Sequence, residues 1–172
     1  MDPARLFLDD FAIIDDFAFL MATGGIHIGK YAHFCPYSML SGGGSLRVGD
    51  FSEIFYGAKI ITGSDEIFGP FLFTPSVPQE LRKVTRSSVD IGDLCFIGAN
   101  AVIYPGVRIG EGAIVTPGTI VKSNLAPWRV YEGSDCKSVG IRKGKEELLL
   151  KKKEALNNSV LKRKKTRITN PR

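Results

Sequence analysis

Histidine, cysteine and carboxylate side chains are the groups of this chain that could do chemistry. Its 172 residues include two histidines, His27 and His33, and three cysteines, Cys35, Cys95 and Cys136. A histidine can act as a general base for a hydroxyl nucleophile. The cysteines are odd in number and scattered, which argues against a disulfide framework and favours the reducing cytoplasm. They lack CxxC partners, and two histidines are too few for a zinc site with three histidine ligands, so we predict no metal.

An acidic pair, Asp65 and Glu66, lies inside the stretch 62–88, which is also rich in phenylalanine and proline. A carboxylate can orient an amine nucleophile or accept its proton, whereas a hydroxyl benefits more from a positioned base. The aromatic residues and prolines argue against disorder and for packing on another surface, such as a neighbouring subunit. Because long loops in repetitive folds are usually functional or disordered, we predict that this loop forms a wall of the active site.

A six-residue repeat sets the architecture that must position these groups. Aliphatic residues recur at a spacing of six in Ile91, Ile97, Ile103, Ile109, Val115 and Val121. Mostly small residues follow four positions later, and the same rhythm runs through 8–20, 28–40 and 48–60. A period of six matches neither a helix nor simple strand alternation. Each hexad can form a short strand and a tight corner, so stacked coils would bury one apolar column. A β-sandwich, the alternative, shows no such strict period.

Two segments break the repeat. The first is SGGGS at 41–45, and the second is the loop 62–88. Glycines permit backbone conformations that other residues avoid, which favours a flexible corner at 41–45 over a ligand contact. No helix start or GK[ST] follows these glycines, so a phosphate-binding loop is not expected.

The formal charge of +5 is unevenly distributed. Residues 142–172 hold 12 basic and 3 acidic residues, whereas residues 1–141 hold 11 basic and 15 acidic ones. The segment 145–156 has strong helix formers and a rough leucine stripe, while the basic residues beyond Asn157 are expected to break up. This tail could pack, collect anionic substrates, or bind nucleic acid or lipid. It lacks aromatic residues for stacking on bases, and no apolar run is long enough to span a membrane, so neither nucleic acid nor a membrane span is predicted.

The segment IGDLCFIGANAVIYPGVRIGEGAIVTPGTIVKSNLAPWRVYEGSDCKSVGIR, residues 91–142, resembles the closing half of the hexapeptide-repeat acyltransferases. The resemblance covers roughly residues 8–142. It implies an all-β fold, a left-handed parallel β-helix shaped as a three-sided prism, over residues 1–142, with a protruding loop and a basic C-terminal helix and tail over 143–172. Such proteins are usually homotrimers with acyl-CoA lying between neighbouring prisms.

The loop TGSDEIFGPFLFTPSVPQE, residues 62–80, is similar to that of nucleotide-linked amino-sugar N-acetyltransferases of the viosamine and perosamine type. In that subgroup an acidic pair replaces the catalytic histidine of the galactoside and maltose acetyltransferases. The resemblance implies that Asp65 holds the acceptor amine, with Glu66, Ser64 and Tyr37 as further substrate contacts. Asp65 follows Gly-Ser, a position where aspartate also caps turns. His33 is a second catalytic candidate, because it could project toward a partner subunit.

The same resemblance places the acyl-CoA along the later coils. The matching positions are Gly98, Ala99, Thr116, Pro117, Gly118 and Lys122. Small residues there let the pantetheine arm reach main-chain groups, although the corners need small residues in any case. Lys137 and Arg142 can meet the CoA phosphates through charge-assisted hydrogen bonds.

The sequence therefore predicts a cytoplasmic acetyl-CoA-dependent N-acetyltransferase. Its substrate would be a nucleotide-linked amino-deoxy sugar used in surface polysaccharide (O-antigen) synthesis. A sugar O-acetyltransferase with His33 as base is one alternative. A non-catalytic β-helix scaffold is the other.

Overall fold

Most hexads form a strand of two or three residues followed by a turn. The computed structural model describes residues 5–169. In chain order its strands are β1 (Leu6–Leu8), β2 (Ile13–Ile14), β3 (Phe19–Leu20), β4 (Ile26–Ile28), β5 (His33–Phe34), β6 (Met39–Ser41), β7 (Leu46–Val48), β8 (Glu53–Ile54), β9 (Lys59–Ile61), β10 (Gly63–Asp65), β11 (Val84–Arg86), β12 (Val89–Ile91), β13 (Phe96–Ile97), β14 (Val102–Ile103), β15 (Arg108–Ile109), β16 (Ile114–Val115), β17 (Ile120–Val121), β18 (Arg129–Glu132) and β19 (Lys137–Ile141). Turns of 3-10 helix span Ala22–Gly24 and Gln79–Leu81, and the α-helix α1 spans Lys145–Thr169.

The strands wind into three sheets that are parallel except for the last strand, β19, as the repeat predicts. Sheet 1 has the order β1-β4-β7-β12-β15, sheet 2 the order β19-β18-β16-β13-β8-β5-β2, and sheet 3 the order β17-β14-β9-β6-β3. Equivalent residues of successive coils stand side by side, so Ile28 pairs with Val48 and Val48 with Ile91. The strands β1–β3, β4–β6, β7–β9, β12–β14 and β15–β17 form coils 1 to 5, and the loop 62–88 lies between coil 3 and coil 4. The chain thus makes a three-sided parallel β-helix.

One apolar column fills the β-helix. The aliphatic residues from Ile91 to Val121 that recur at a spacing of six are each at most 3% exposed. Burial of such a side chain stabilises the fold by about 1.5–3 kcal/mol. Leu8 shares the phase of the repeat but is 49% exposed, because no coil lies beneath the first one in the described chain. The column is therefore well buried in the middle coils and open at its N-terminal end.

The corners depend on two kinds of residue. The small residues at Cys95, Ala101 and Ala113 are at most 2% exposed, as predicted. The position before each small residue has a left-handed backbone, and it is filled in the early coils by aromatic residues such as Tyr31 (φ 57°) and Tyr37 (φ 62°). Left-handed backbone is uncommon in residues other than glycine. The periodicity did not predict aromatic residues there.

The two segments that break the repeat, 41–45 and 62–88, contact each other in the structure. Gly42 has a φ of 110°, and a Cβ atom built on it would lie 2.1 Å from the backbone nitrogen of Gly63. Thr62, which is buried, donates its hydroxyl hydrogen bond to the carbonyl of Ser41 and accepts one from the backbone N–H of Gly44, both at 3.0 Å. The glycines at 42–44 therefore allow close backbone packing against the base of the loop.

The loop itself begins and ends as an antiparallel hairpin. Strands β10 and β11 pair with Ser64 opposite Thr85 and with Asp65 opposite Val84. Several large apolar side chains beyond the hairpin are exposed, with Phe68 at 94% and Phe73 at 67%. The hairpin gives Asp65 a fixed position beside the coils.

The described chain divides into two compact units that meet between Arg142 and Lys143. The first ends with β18 and β19, and β18 pairs in parallel with β16 and antiparallel with β19. The second is α1, which continues to Thr169 instead of breaking up after Asn157 as predicted. An asparagine lowers the stability of a helix by only about 0.7 kcal/mol relative to alanine, and the lysines and leucines around it are good helix formers. Residues 170–172 of the tail lie outside the described residues.

None of the helical segments described in 5–169 is long and apolar enough to cross a membrane.

Candidate active site

Asp65 forms a bidentate ion pair with Arg82 across the hairpin loop. Arg82 donates from Nε to Oδ1 at 2.8 Å and from Nη2 to Oδ2 at 2.9 Å. The side chains are only 18% (Arg82) and 20% (Asp65) exposed. Parallel N–H···O bonds of this kind fix the orientation of both groups. No sequence motif marks Arg82, because the loop brings it back to Asp65 from 17 residues away.

A pocket of about 340 Å³ opens beside this ion pair. Its lining includes Asp65, Arg82 and Arg86 from the loop and Ser41 and Gly42 from the first interruption. A second pocket of about 480 Å³ shares Arg82 and Arg86 with the first. Two guanidinium groups beside one carboxylate suit a ligand that carries both an anionic group and an amine. Ser41 and Gly42 of the glycine-rich interruption are thus part of the pocket wall.

Ser64 and Glu66 flank Asp65 but differ in exposure. Ser64 is exposed, lines the same pocket, and donates its hydroxyl hydrogen bond to the carbonyl of Asp65 at 3.1 Å. Glu66 accepts a hydrogen bond from the backbone N–H of Phe68 at 2.9 Å, so its carboxylate stabilises a local turn. Substrate contact by either residue stays a prediction.

His33 lies on sheet 2 between two carboxylates. Its Nε2 lies 2.8 Å from Oδ2 of Asp15, and its Nδ1 lies 3.4 Å from Oε1 of Glu53. The thiol of Cys35 lies 3.7 Å from Nδ1 of His33 and donates to Glu53 at 3.5 Å. Burial first, and then the neighbouring carboxylates of Glu53 and Asp15, raise the pKa of the Cys35 thiol to about 12. A carboxylate on one ring nitrogen holds the imidazole in a fixed orientation, which suits either a general base or a metal ligand.

The pocket that Asp65 lines does not include the other predicted catalytic residue, His33. Tyr37 does not line it either. Tyr37 is 66% exposed at a corner of the prism and stacks on Phe17, with ring centroids 5.4 Å apart. Asp15, His33 and Cys35 form a cluster that could hold a metal ion, with donor atoms within 4.8 Å of one another.

The predicted CoA positions fall at one corner of two successive coils. Gly98 and Ala99 follow β13, and Thr116, Pro117 and Gly118 follow β16. A Cβ atom on Gly98 would lie 2.5 Å from the nitrogen of Pro117, so this glycine permits close stacking of the coils. Gly118 has a φ of 72° and open space around it, and its N–H donates to the carbonyl of Ala99 at 2.8 Å. Pro117 and Gly118 are exposed, so main-chain groups are accessible at this corner.

The three predicted cationic contacts lie elsewhere. Lys122 follows β17, with its ammonium 5.7 Å from the ring centre of Tyr104. Lys137 is exposed and lies 3.8 Å from Asp135. Arg142 donates from Nη1 to the carbonyls of Leu94 and Gly112 and packs over the ring of Trp128. These contacts give Arg142 a structural role that the sequence did not indicate, and phosphate binding by these cations stays a prediction.

The repeat matches a known family model. The model described as bacterial transferase hexapeptide (six repeats) matches residues 88–123. The dTDP-4-amino-4,6-dideoxy-D-glucose acyltransferase of Escherichia coli is 30% identical over 133 residues, which cover 77% of this chain and 69% of that protein. The similarity therefore extends well beyond the repeats that the family model covers.

Solved structures show the same fold. AntD, an N-acyltransferase from Bacillus cereus solved with dTDP and 3-hydroxybutyryl-CoA, superposes with a TM-score of 0.83 at 29% identity, covering 92% of this chain and 82% of that one. A variant of AntD solved with dTDP-4-amino-4,6-dideoxyglucose and coenzyme A also gives a TM-score of 0.83, at 30% identity over 91% of this chain and 82% of that one. These likenesses confirm the prediction of a left-handed parallel β-helix. The shared repeat, the shared fold and the identity along most of the chain make this protein an enzyme of the hexapeptide-repeat acyltransferase family.

Proposed function

We propose that the protein transfers an acyl group, acetyl in the simplest case, from acyl-CoA to the amino group of a nucleotide-linked amino-deoxy sugar. The observation that carries this proposal is the fixed Asp65–Arg82 pair at the edge of a pocket. The chain that forms this pocket is similar to AntD, a variant of which was solved with dTDP-4-amino-4,6-dideoxyglucose and coenzyme A. The dTDP-linked sugar of the Escherichia coli relative belongs to the same substrate class.

The acceptor side of the reaction would use the loop pocket. Asp65 accepts a hydrogen bond from the sugar amine and orients its lone pair toward the thioester carbonyl. Arg82 and Arg86 supply positive charge for the diphosphate of the nucleotide. The amine nitrogen forms a bond to the carbonyl carbon, the C–S bond breaks, and the proton lost by the amine passes through the Asp65 carboxylate toward the leaving thiolate.

The donor side would use the exposed corner formed by 98–99 and 116–118. The accessible main-chain groups there suit the amide-rich pantetheine arm, and Lys122, Lys137 and Arg142 remain proposed phosphate contacts. Donors at this corner can stabilise the oxyanion of the tetrahedral intermediate.

The proposal includes a cytoplasmic homotrimer with active sites between subunits. It is supported by the exposed Phe68 and Phe73 of the loop and by the exposed Phe17 and Tyr37 of the early coils. Large apolar side chains of this kind are typical of surfaces that another subunit covers. A neighbouring prism could also bring His33 of one chain toward Asp65 of another. The product would serve surface polysaccharide (O-antigen) synthesis.

Turnover on a matched pair of acceptors tests the proposal. The protein is incubated with acetyl-CoA and dTDP-4-amino-4,6-dideoxyglucose, and free thiol is followed over time. dTDP-glucose, which offers hydroxyls but no amine, serves as the control. We expect thiol release only with the amino sugar. Release with neither acceptor, or with dTDP-glucose alone, contradicts the proposal.

One specific observation favours a second candidate, a sugar O-acetyltransferase. The carboxylate of Asp15 lies 2.8 Å from Nε2 of His33, an arrangement that orients an imidazole as a general base for a hydroxyl. His33→Asn would then abolish turnover on hydroxyl acceptors. Under the first proposal the same variant keeps at least a tenth of its turnover on the amino sugar.

A further inference from the structure

The helix α1 carries a dense positive charge. Lys145–Thr169 contains nine lysines and arginines against three glutamates, a net charge of +6, whereas residues 1–141 sum to −4. Most of the cations fall in two runs, 151–153 and 162–165. The helix belongs to a compact unit of its own, and no candidate residue of the acyl transfer lies in it. The charge of α1 thus has no function in the proposed reaction.

Leucines and lysines share one side of this helix. A shallow pocket of about 300 Å³ lies on α1, and we call its lining the leucine–lysine face: Leu149, Lys152, Lys153, Leu156 and Asn157. Positions i, i+3, i+4, i+7 and i+8 lie on the same side of an α-helix. Leu149, Lys152 and Leu156 are only partly exposed. This side therefore combines apolar carbon with ammonium groups.

The glutamates of α1 lie away from this face. Glu147 and Glu154 are both exposed, and each precedes one of the two leucines by two positions. Two positions correspond to about 200° around the helix axis at 3.6 residues per turn. Glu146 lies in the first turn, where a carboxylate complements the helix dipole. The leucine–lysine face is thus cationic and apolar, with two of the three carboxylates on the far side.

We propose that α1 docks along the surface of an anionic lipid bilayer through its leucine–lysine face. Leucines of an interfacial helix insert at the boundary between headgroups and acyl chains, and lysines beside them extend their ammonium groups to the lipid phosphates. Each lysine or arginine close to an anionic membrane surface strengthens binding about fivefold. In α1 the leucines provide the apolar contact, and the charge of +6 provides the attraction to acidic headgroups.

Two other partners fit α1 less well. A second copy of α1 would bring another charge of +6 against the first and would place Lys152 in an apolar contact. A nucleic acid would be held by the cations alone, because α1 has no aromatic side chain to stack on bases and a phosphate backbone makes no use of leucines. A bilayer uses both the apolar and the cationic groups of the face.

Vesicle sedimentation tests the proposal with the full chain. The protein is mixed with extruded vesicles of phosphatidylcholine and phosphatidylglycerol (about 3:1), or of phosphatidylcholine alone, in about 0.1 M NaCl. We expect the anionic vesicles to bind at least about 50-fold more tightly than the neutral ones, and to lose at least about tenfold in affinity in about 0.5 M NaCl. Equal binding to both kinds of vesicle, no binding to the anionic kind, or an affinity that salt leaves unchanged overturns the proposal.

Variants of the helix assign the docking face. Leu149→Gln combined with Leu156→Gln should weaken binding to anionic vesicles at least about tenfold, and Lys152→Gln combined with Lys153→Gln should weaken it about 20-fold. Leu150→Gln is the matched control and should bind within about twofold of the parent, because Leu150 is 61% exposed and lies about 120° around the helix from Leu156. Circular dichroism checks that each variant keeps its helix content. An equal loss in Leu150→Gln, or no loss in either double variant, contradicts this face.

Competition with duplex DNA separates a lipid surface from a nucleic acid. DNA is added at a phosphate concentration equal to that of the phosphatidylglycerol. Retention of the protein on the vesicles supports the proposal, and displacement of most of it overturns the proposal in favour of a nucleic-acid partner.

Truncation after Gly144 keeps the outcome separable from that of the proposed acyltransferase reaction. The shortened chain should lose vesicle binding and keep thiol release with acetyl-CoA and the amino sugar, since neither substrate is a lipid. Vesicle binding that survives the truncation overturns the docking proposal, whatever the result of the thiol assay.

Discussion

At the residue scale, two of the Asp–Arg ion pairs within residues 5–169 differ in character. Asp65 and Arg82 are at most one-fifth exposed and make two parallel hydrogen bonds. Asp90 and Arg47 make one at 2.9 Å and are about half exposed. An exposed pair of this kind contributes about 0–1 kcal/mol to stability. The partly buried bidentate pair instead presents a carboxylate of fixed orientation to a pocket.

Asp65→Asn should lower kcat for acetyl transfer to the amino sugar by about 10²-fold, because the amide cannot accept the amine proton. The KM for acetyl-CoA should change little, since the carboxylate lies on the acceptor side. Steady-state kinetics with thiol detection measure both. Asp90→Asn, which breaks the exposed pair, is the matched control and should stay within about twofold of the parent. Equal rates for the two variants would remove Asp65 from the mechanism.

Cys35 and Cys95 should resist alkylation in the folded protein. Burial is the largest cause that raises the pKa of Cys35 and of Cys95 to about 12. The thiolate is the reactive form, and at pH 8 it makes up only about 0.01% of such a thiol. Because the thiolate fraction grows with pH, alkylation by iodoacetamide should speed up about tenfold per pH unit between pH 8 and 11. Mass spectrometry of timed samples measures it, and labelling of Cys35 as fast as in the unfolded chain would contradict this expectation.

At the scale of elements, the glycines at 42–44 and the hairpin β10–β11 act as one unit. Their backbones approach too closely for any side chain at Gly42. This packing connects the wall of the pocket to coil 2 on one side and to the loop on the other. Stability of the coil and geometry of the pocket are therefore coupled at this point.

Gly42→Ala should lower the free energy of unfolding by at least about 1–3 kcal/mol, because the residue needs a φ of 110° and its Cβ would overlap Gly63. Thermal and urea unfolding followed by circular dichroism measure the change. Gly140→Ala is the control, since a Cβ there meets nothing within 4 Å. The interpretation fails if the two variants unfold alike.

At the scale of the whole molecule, the two units differ in net charge and in whether they hold candidate site residues. The acidic unit ending at Arg142 holds every candidate site residue. The basic unit holds α1, and the net charge of +5 is only their sum. The overall charge therefore says little about the ligands of the catalytic unit.

Truncation after Gly144 should leave turnover within about twofold and the unfolding temperature of the β-helix within a few degrees. The boundary between the two units lies just before it, and Arg142 is kept. A chain ending at Ile141 is the comparison: it loses the hydrogen bonds from Arg142 to the carbonyls of Leu94 and Gly112 and should unfold at a lower temperature. Loss of activity in the longer truncation would give α1 a role in catalysis.

The sequence by itself determined the β-helix, its core and its loop. The six-residue repeat is a short-range pattern. The inward position of Ile97 and the corner position of Ala101 can therefore be predicted from the neighbouring residues alone. Asp65 could likewise be singled out from the sequence, because the repeat stops beside it.

Only the tertiary structure decided which side chains meet. Successive coils bring together residues 18, 20 or 43 positions apart, depending on what is inserted between the coils. Asp15, His33 and Glu53 therefore come together through coil stacking, and Arg82 reaches Asp65 through the return of the hairpin. Such contacts depend on the register of the stack and the path of the loop, and a short-range pattern carries neither.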